Sequence, residues 1–227
     1  MRDGLNWHLA YDSQAVVVAV EYRLAPETPF PGPLNDCYCG LVWVFANAAP
    51  LNVDSKRIAV MGESGGGGLA AAVALKARDR AEVRLAGQML IYPMLDYRTG
   101  SPREDQPNPT TGHFGWTRNN NQFGWRCFRG DLDLSSEQIG YFSPALAAQI
   151  ASLPPTFIAV GSLDLFMDED LAYASRLSRA GVAVEFHLYP GAIHGFDLMR
   201  DTALGRQFRF DQLEALRRWF NRPQDTV

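Results

Sequence analysis

The chain has 227 residues, 47% of them hydrophobic and 20% charged, and its 21 Lys+Arg against 25 Asp+Glu leave a formal net charge of -4. A chain of this length and composition buries a core without help from disulfides or metals, which excludes disordered, collagen-like and knottin-like readings. The mildly acidic balance, with no basic block, carries no electrostatic footprint for nucleic acid or an anionic membrane.

Residues 1–14 show no basic start followed by an apolar run, and no segment reaches the roughly 18 uninterrupted apolar residues of a membrane span, so a cytoplasmic protein is the expectation. Residues 15–21, AVVVAVE, form a continuous β-branched run of the kind buried on both faces of a parallel sheet, and this strand is expected mid-sheet. After the proline-rich turn 26–33, residues 34–47 place Leu34, Tyr38, Leu41, Val42 and Phe45 at helical spacing. The same stretch holds Cys37 and Cys39; with Cys127 they make an odd count without zinc spacing, so neither a disulfide framework nor a metal site is expected.

Strand 57–61 leads at once into Gly62-Glu63-Ser64-Gly65-Gly66-Gly67-Gly68 and an Ala/Leu-rich helix at 69–80. Further strands are expected at 85–92, 156–160 and 182–188, with helices at 168–180 and 202–220. The alternation predicts an α/β fold, a mostly parallel central sheet flanked by helices, as a single domain over 1–227. Residues 96–155, rich in Pro, Asn, Gly and Trp, are too long for a simple crossover and read as a cap-like insertion over one end of the sheet.

Gly62-Glu63-Ser64-Gly65-Gly66 matches G-x-S-x-G at a predicted strand-to-helix turn, where the motif has mechanical meaning. Small residues two before and two after the serine let a strained turn lift its hydroxyl clear of the sheet. The N–H of Gly65, at the start of the helix, is then aimed where an oxyanion would form. A phosphate loop is not expected, because no lysine follows the glycines and the acidic Glu82 precedes the next strand, where a dinucleotide fingerprint would place its acid after it.

A nucleophilic serine needs a base and an orienting carboxylate, expected at the C-terminal ends of later strands. His8 precedes the first strand, His113 lies in the insertion, and His187 sits inside a strand, where a structural role is expected. His194, in a glycine-flanked loop after the last strand, is the candidate base. Asp164 follows the fourth strand and is the candidate orienting group, whereas Asp168, Glu169 and Asp170 open a helix, where acidic residues favour the macrodipole without catalysis. The order Ser64, Asp164, His194 is that of α/β-hydrolases. Phe114, Trp116, Phe123 and Trp125 form an aromatic set that either walls a substrate pocket or makes a small local core.

Tyr22-Arg23-Leu24-Ala25-Pro26-Glu27, Gly62-Glu63-Ser64-Gly65-Gly66-Gly67, Asp164-x-x-x-Asp168-Glu169 and His194-Gly195-Phe196 together resemble the hormone-sensitive-lipase-like branch of α/β-hydrolase serine esterases. The resemblance implies a cofactor-free carboxylic ester hydrolase acting on small, short-chain esters through an acyl-enzyme, with Ser64, Asp164 and His194 on the triad positions. It also implies a possible homodimer through the last strand and final helix. Members of the branch carry a His-Gly-Gly-Gly segment upstream of the strand matched by 15–21, and residues 1–14 hold no Gly-Gly pair. The expectation is an N-terminally truncated form, with Gly65 as the one identifiable oxyanion donor and a central strand missing between 15–21 and 57–61. Two alternatives stay open: a non-catalytic ligand-binding protein on the same fold, and a thioester or amide hydrolase.

Overall fold

Each of the first three β-strands is followed by helical segments that carry the chain back across the sheet to the next strand, which forces the four strands parallel. The computed structural model describes residues 3–221, with side chains from residue 6 onward. Helices α1 (Asp3–Ser13) and α2 (Gly32–Ala46) precede strand β1 (Ala59–Glu63), which runs into helix α3 (Gly65–Arg80). Strand β2 (Gly87–Ile91), helices α4 (Arg118–Arg129) and α5 (Ile139–Phe142), and strand β3 (Thr156–Gly161) follow. Helix α6 (Met167–Arg179), strand β4 (Val184–Tyr189) and helix α7 (Ala203–Phe220) complete the chain order. The sheet runs β1-β2-β3-β4, all parallel, with Met61 opposite Met89, Leu90 opposite Ile158 and Ala159 opposite His187.

Every residue of β2 and β3 is buried, so apolar side chains leave both faces of the sheet. Leu90 and Ile158 pack among Leu34 of α2, Leu75 of α3, and Tyr173 and Leu177 of α6. Met89, Ile91 and Phe157 point the other way, into Phe208, Ala215 and Trp219 of α7. Each such fully buried side chain contributes roughly 1.5–3 kcal/mol, so these two strands are the rigid base from which the functional loops rise.

The valine run corrects one expectation. Residues 15–21 belong to no strand of the sheet, and Val16, Val18 and Val20 are 52%, 41% and 37% exposed. A cleft of about 1200 Å³ separates this segment from β1, floored by Leu41 and Val44 of α2 and Val73 of α3 on one side and by Leu216 and Phe220 of α7 on the other. The run has the composition of a two-face-buried strand, but a strand is defined by its neighbours' hydrogen bonds, and among the described residues no strand pairs with it. The sheet has not closed up over the gap: Val20 instead packs on α2, where a Cβ on Gly40 would come within 2.7 Å of its methyl group.

The other strands lie where expected within about two residues. Helices α1 and α4 were not expected. The α1 sequence has no apolar stripe, leaving Trp7 and Tyr11 exposed; α4 opens on a polar Asn run, although Thr117 caps it by accepting the Asn120 N–H at 3.3 Å. The segment between β2 and β3 is tied at both ends to the helices below it. The Leu95 and Asp96 N–H groups donate to Glu169 of α6 at 2.6 and 3.2 Å. At the far end, Arg176 donates to the Ala145 and Ala147 carbonyls and Arg78 to those of Gln149 and Ala151. Among the described residues no helix is long and apolar enough to cross a membrane.

Candidate active site

Strand β1 ends at Glu63 and α3 begins at Gly65, leaving Ser64 alone at the turn with φ 55° and ψ -124°. That left-handed φ is costly for a side chain with a Cβ and persists only where the surroundings enforce it. Here the Ser64 N–H donates to the Ile91 carbonyl at 2.9 Å, and the Ser64 carbonyl accepts from Met94 at 3.0 Å and Gly68 at 3.1 Å. The turn is tight enough that a Cβ on Gly62 would lie 2.0 Å from the Gly66 carbonyl oxygen, which is why glycine stands there. Tyr22 sits alongside, its hydroxyl 3.8 Å from where a Gly66 Cβ would be. The neighbouring Arg23 clasps Asp36 of α2 through two side-chain bonds of 2.9 and 2.7 Å, holding that carboxyl down at about 2.

Asp164 and His194 come from the loops after β3 and β4, and those loops are laced together. Ser162 and Leu163 donate their N–H groups to the Tyr189 and Ala192 carbonyls, both at 3.0 Å, and Gly191 N–H donates to Ser162 Oγ at 2.8 Å. Asp164 is fully buried; its Oδ1 accepts the Phe166 N–H at 3.0 Å and its Oδ2 lies 2.8 Å from His194 Nδ1. Ser64 Oγ lies 2.9 Å from His194 Nε2. With Nδ1–H donating to the carboxylate, Nε2 carries the lone pair that accepts the serine hydroxyl. The three groups form one connected relay from a buried acid to a strained serine.

The imidazole is enclosed by rings from three segments: Tyr92 at 4.5 Å between ring centres, Phe166 at 5.4 Å and Trp116 at 6.2 Å. Gly115, at φ 72°, approaches so closely that a Cβ there would lie 2.8 Å from the His194 carbonyl oxygen. Of the predicted aromatic set, the structure therefore brings Trp116 to the relay, while Phe114 and Phe123 stand 59% and 61% exposed. Trp125 belongs to the apolar core, 5.0 Å from the Phe142 ring. His187 pairs with Glu185 at 2.8 Å, and His113 lies 2.8 Å from the Pro109 carbonyl oxygen; neither joins the relay.

Sequence reasoning missed Tyr92 and underread the acidic start of α6. Asp168, Glu169 and Asp170 do occupy the first turn, but Glu169 and Asp170 are buried rather than solvated. Burial pushes both carboxyls well above their usual range, and the neighbouring carboxyls of Glu169 and Asp164 add to the effect on Asp170. Neither Asp170 oxygen has a hydrogen-bond partner among the described residues, so nothing there offsets the desolvation that favours the neutral form. The run Asp168-Glu169-Asp170 carries no sequence signal for this, because burial depends on what packs above α6. Among the described residues no group of three or more His, Cys, Asp or Glu side chains is placed to hold a metal ion.

A parallel sheet that delivers a positive-φ serine into the first turn of a helix is the architecture of an alpha/beta hydrolase. A family model described as alpha/beta hydrolase fold matches residues 1–198, and the chain belongs to that family, in its hormone-sensitive-lipase-like branch. It is 37% identical over 198 residues to the carboxylesterase NlhH of Mycobacterium tuberculosis, covering 82% of this chain and 58% of that protein. It is 34% identical over 196 residues to the esterase LipI of the same species, covering 86% and 59%. A solved bacterial heroin esterase superposes with a TM-score of 0.87 at 38% identity, over 97% of this chain and 70% of that one. The chain thus spans 58% to 59% of the length of these curated relatives.

Proposed function

We propose that the chain is a serine carboxylic ester hydrolase acting on small, short-chain esters. The observation that carries the reading is the unbroken relay, with Ser64 Oγ 2.9 Å from His194 Nε2 and His194 Nδ1 2.8 Å from Asp164. Ser64 Oγ attacks the ester carbonyl carbon while its proton passes to Nε2. Asp164 holds the tautomer and stabilises the imidazolium, and the Gly65 N–H, at the positive end of α3, faces the developing oxyanion. The tetrahedral intermediate expels the alcohol, which takes the proton from Nε2. Water then attacks the acyl-serine with Nε2 as base, releasing the acid and restoring Ser64. All proton transfers run between these residues and the substrate, so the cycle needs no cofactor.

Trp116, beside the imidazole, supports a substrate wall on the insertion side of the site, and residues 96–155 act as its cap. A completed relay favours catalysis over a purely ligand-binding role. The names of the relatives favour esters over thioesters or amides. Edge strand β4, with Leu188 43% exposed, and α7 offer the surface for a homodimer, which sedimentation would detect. The deciding experiment is hydrolysis of p-nitrophenyl butyrate by the purified chain beside Ser64→Ala. Turnover that the substitution abolishes supports the reading, and turnover that survives it overturns the assignment of Ser64.

A further inference from the structure

Tyr92 is the first residue beyond β2, and three of its groups point to one task. Its ring centre is 4.5 Å from that of His194, with the planes at 58°. Its N–H donates to the Ala159 carbonyl of β3 at 2.6 Å, fixing it to the rigid centre of the sheet. Its hydroxyl donates to Asp197 Oδ1, within the 3₁₀ turn Phe196–Leu198 that follows His194 and Gly195. One side chain therefore touches the imidazole with its ring and grips the segment carrying that imidazole with its tip.

The cost of the arrangement is visible in the backbone. Tyr92 stands at φ 36°, a region that a bulky residue occupies only when its surroundings over-determine it. Both partners are shielded from water, Tyr92 at 1% and Asp197 at 7% exposure, so the bond between them is not diluted by solvent exchange.

We propose that Tyr92, anchored by Asp197, is a positioning residue for His194, holding the imidazole where Nδ1–H meets Asp164 and Nε2 meets Ser64. Asp164 alone restrains one edge of the ring. The Tyr92 ring blocks its tilt, and the Tyr92–Asp197 bond keeps the 194–198 segment from drifting away from β2. The kinetic consequence rests on the esterase reading; the geometric one does not.

The test compares the unmodified chain with Tyr92→Phe, Asp197→Ala, the double variant and Asp197→Asn, which keeps an acceptor oxygen. The first readout is the low-field proton resonance of the Nδ1–H shared by His194 and Asp164, which reports ring placement without any turnover. The second is kcat and KM for p-nitrophenyl butyrate. Tyr92→Phe and Asp197→Ala should each broaden or remove the resonance and lower kcat roughly tenfold or more, with KM unchanged, because small misplacements of a base are expensive. The double variant should be no worse than the worse single, as for two residues acting as one unit, and Asp197→Asn should retain more than Asp197→Ala. An unchanged resonance in both single variants, or losses that multiply in the double, would overturn the proposal. If the unmodified chain shows no hydrolysis that Ser64→Ala removes, the esterase reading fails, while the resonance still decides the role of Tyr92.

Discussion

Gly161 and Ala192 meet across the ends of β3 and β4 with no room between them: a Cβ on Gly161 would lie 2.3 Å from the Ala192 carbonyl oxygen. Asp164 and His194 stand on the two loops that meet there, so this contact sets the separation of acid and base. Gly161→Ala must push the loops apart. The expected outcome is a fall in kcat of about 100-fold together with a loss of about 1–3 kcal/mol of stability from overpacking. Steady-state kinetics beside denaturant unfolding would measure both, and a variant with unaltered kcat would show that the loops are positioned from elsewhere.

Asp164 accepts from His194 Nδ1 at 2.8 Å and from the Phe166 N–H at 3.0 Å. An amide in its place keeps the shape but presents a donor or a neutral acceptor, which releases the tautomer that leaves Nε2 free to take the serine proton. Asp164→Asn should lower kcat at neutral pH by about 10⁴-fold, with little change in KM. A loss below tenfold would remove Asp164 from the relay.

Asp170 gives a pH dependence with a definite sign. Its folded pKa is raised by burial and by the neighbouring Glu169 and Asp164, whereas in the unfolded chain it ionises near its ordinary value of about 3.9. Below that value the carboxyl is neutral in both states and its contribution to stability is intact. As pH rises, the unfolded chain sheds a proton that the folded chain keeps, so stability is lost up through the folded pKa. Asp170→Asn removes this slope. The variant should gain stability over the parent progressively above about pH 4, read from urea midpoints at several pH values; a difference that stays flat from pH 4 to 8 would mean that Asp170 is not held neutral.

The cleft between residues 15–20 and β1 should be legible in hydrogen exchange. The amides of 16–20 pair with no strand and face open space, while those of Leu90 and Ile158 lie in a ladder bonded on both sides. The first group should exchange in the earliest time points and the second only through global unfolding, a gap of several decades in rate. Equal protection of the two segments would show that the cleft closes in solution.

The nucleophile turn was readable in the sequence because everything that makes it is local. Gly62 and Gly66 bracket Ser64 within one turn, and their close approach follows from a strand running directly into a helix. Asp164 and His194 were found by chain order alone, since each follows a strand whose β-branched run is itself recognisable. Tyr92 and Asp197 carried no such mark, as the bond that joins them spans segments far apart in the chain. The same is true of Glu169, whose carboxylate accepts from Leu95 and Asp96. In sequence it is one of three acids at a helix start, indistinguishable from its exposed neighbour.

The valine run shows the limit from the other side. Its composition is that of a central strand, but pairing is a property of two segments, and the structure sets a cleft where the partner would be. The α/β alternation, the serine turn and the order of the candidate relay are legible in the amino-acid order, because these depend on periodicity and on contacts within a few residues. Tertiary structure alone decided the 2.8 and 2.9 Å spacings of that relay, the burial of Asp170, the aromatic enclosure of His194 and the opening beside β1. Those depend on distances between loops that only the packed sheet brings together.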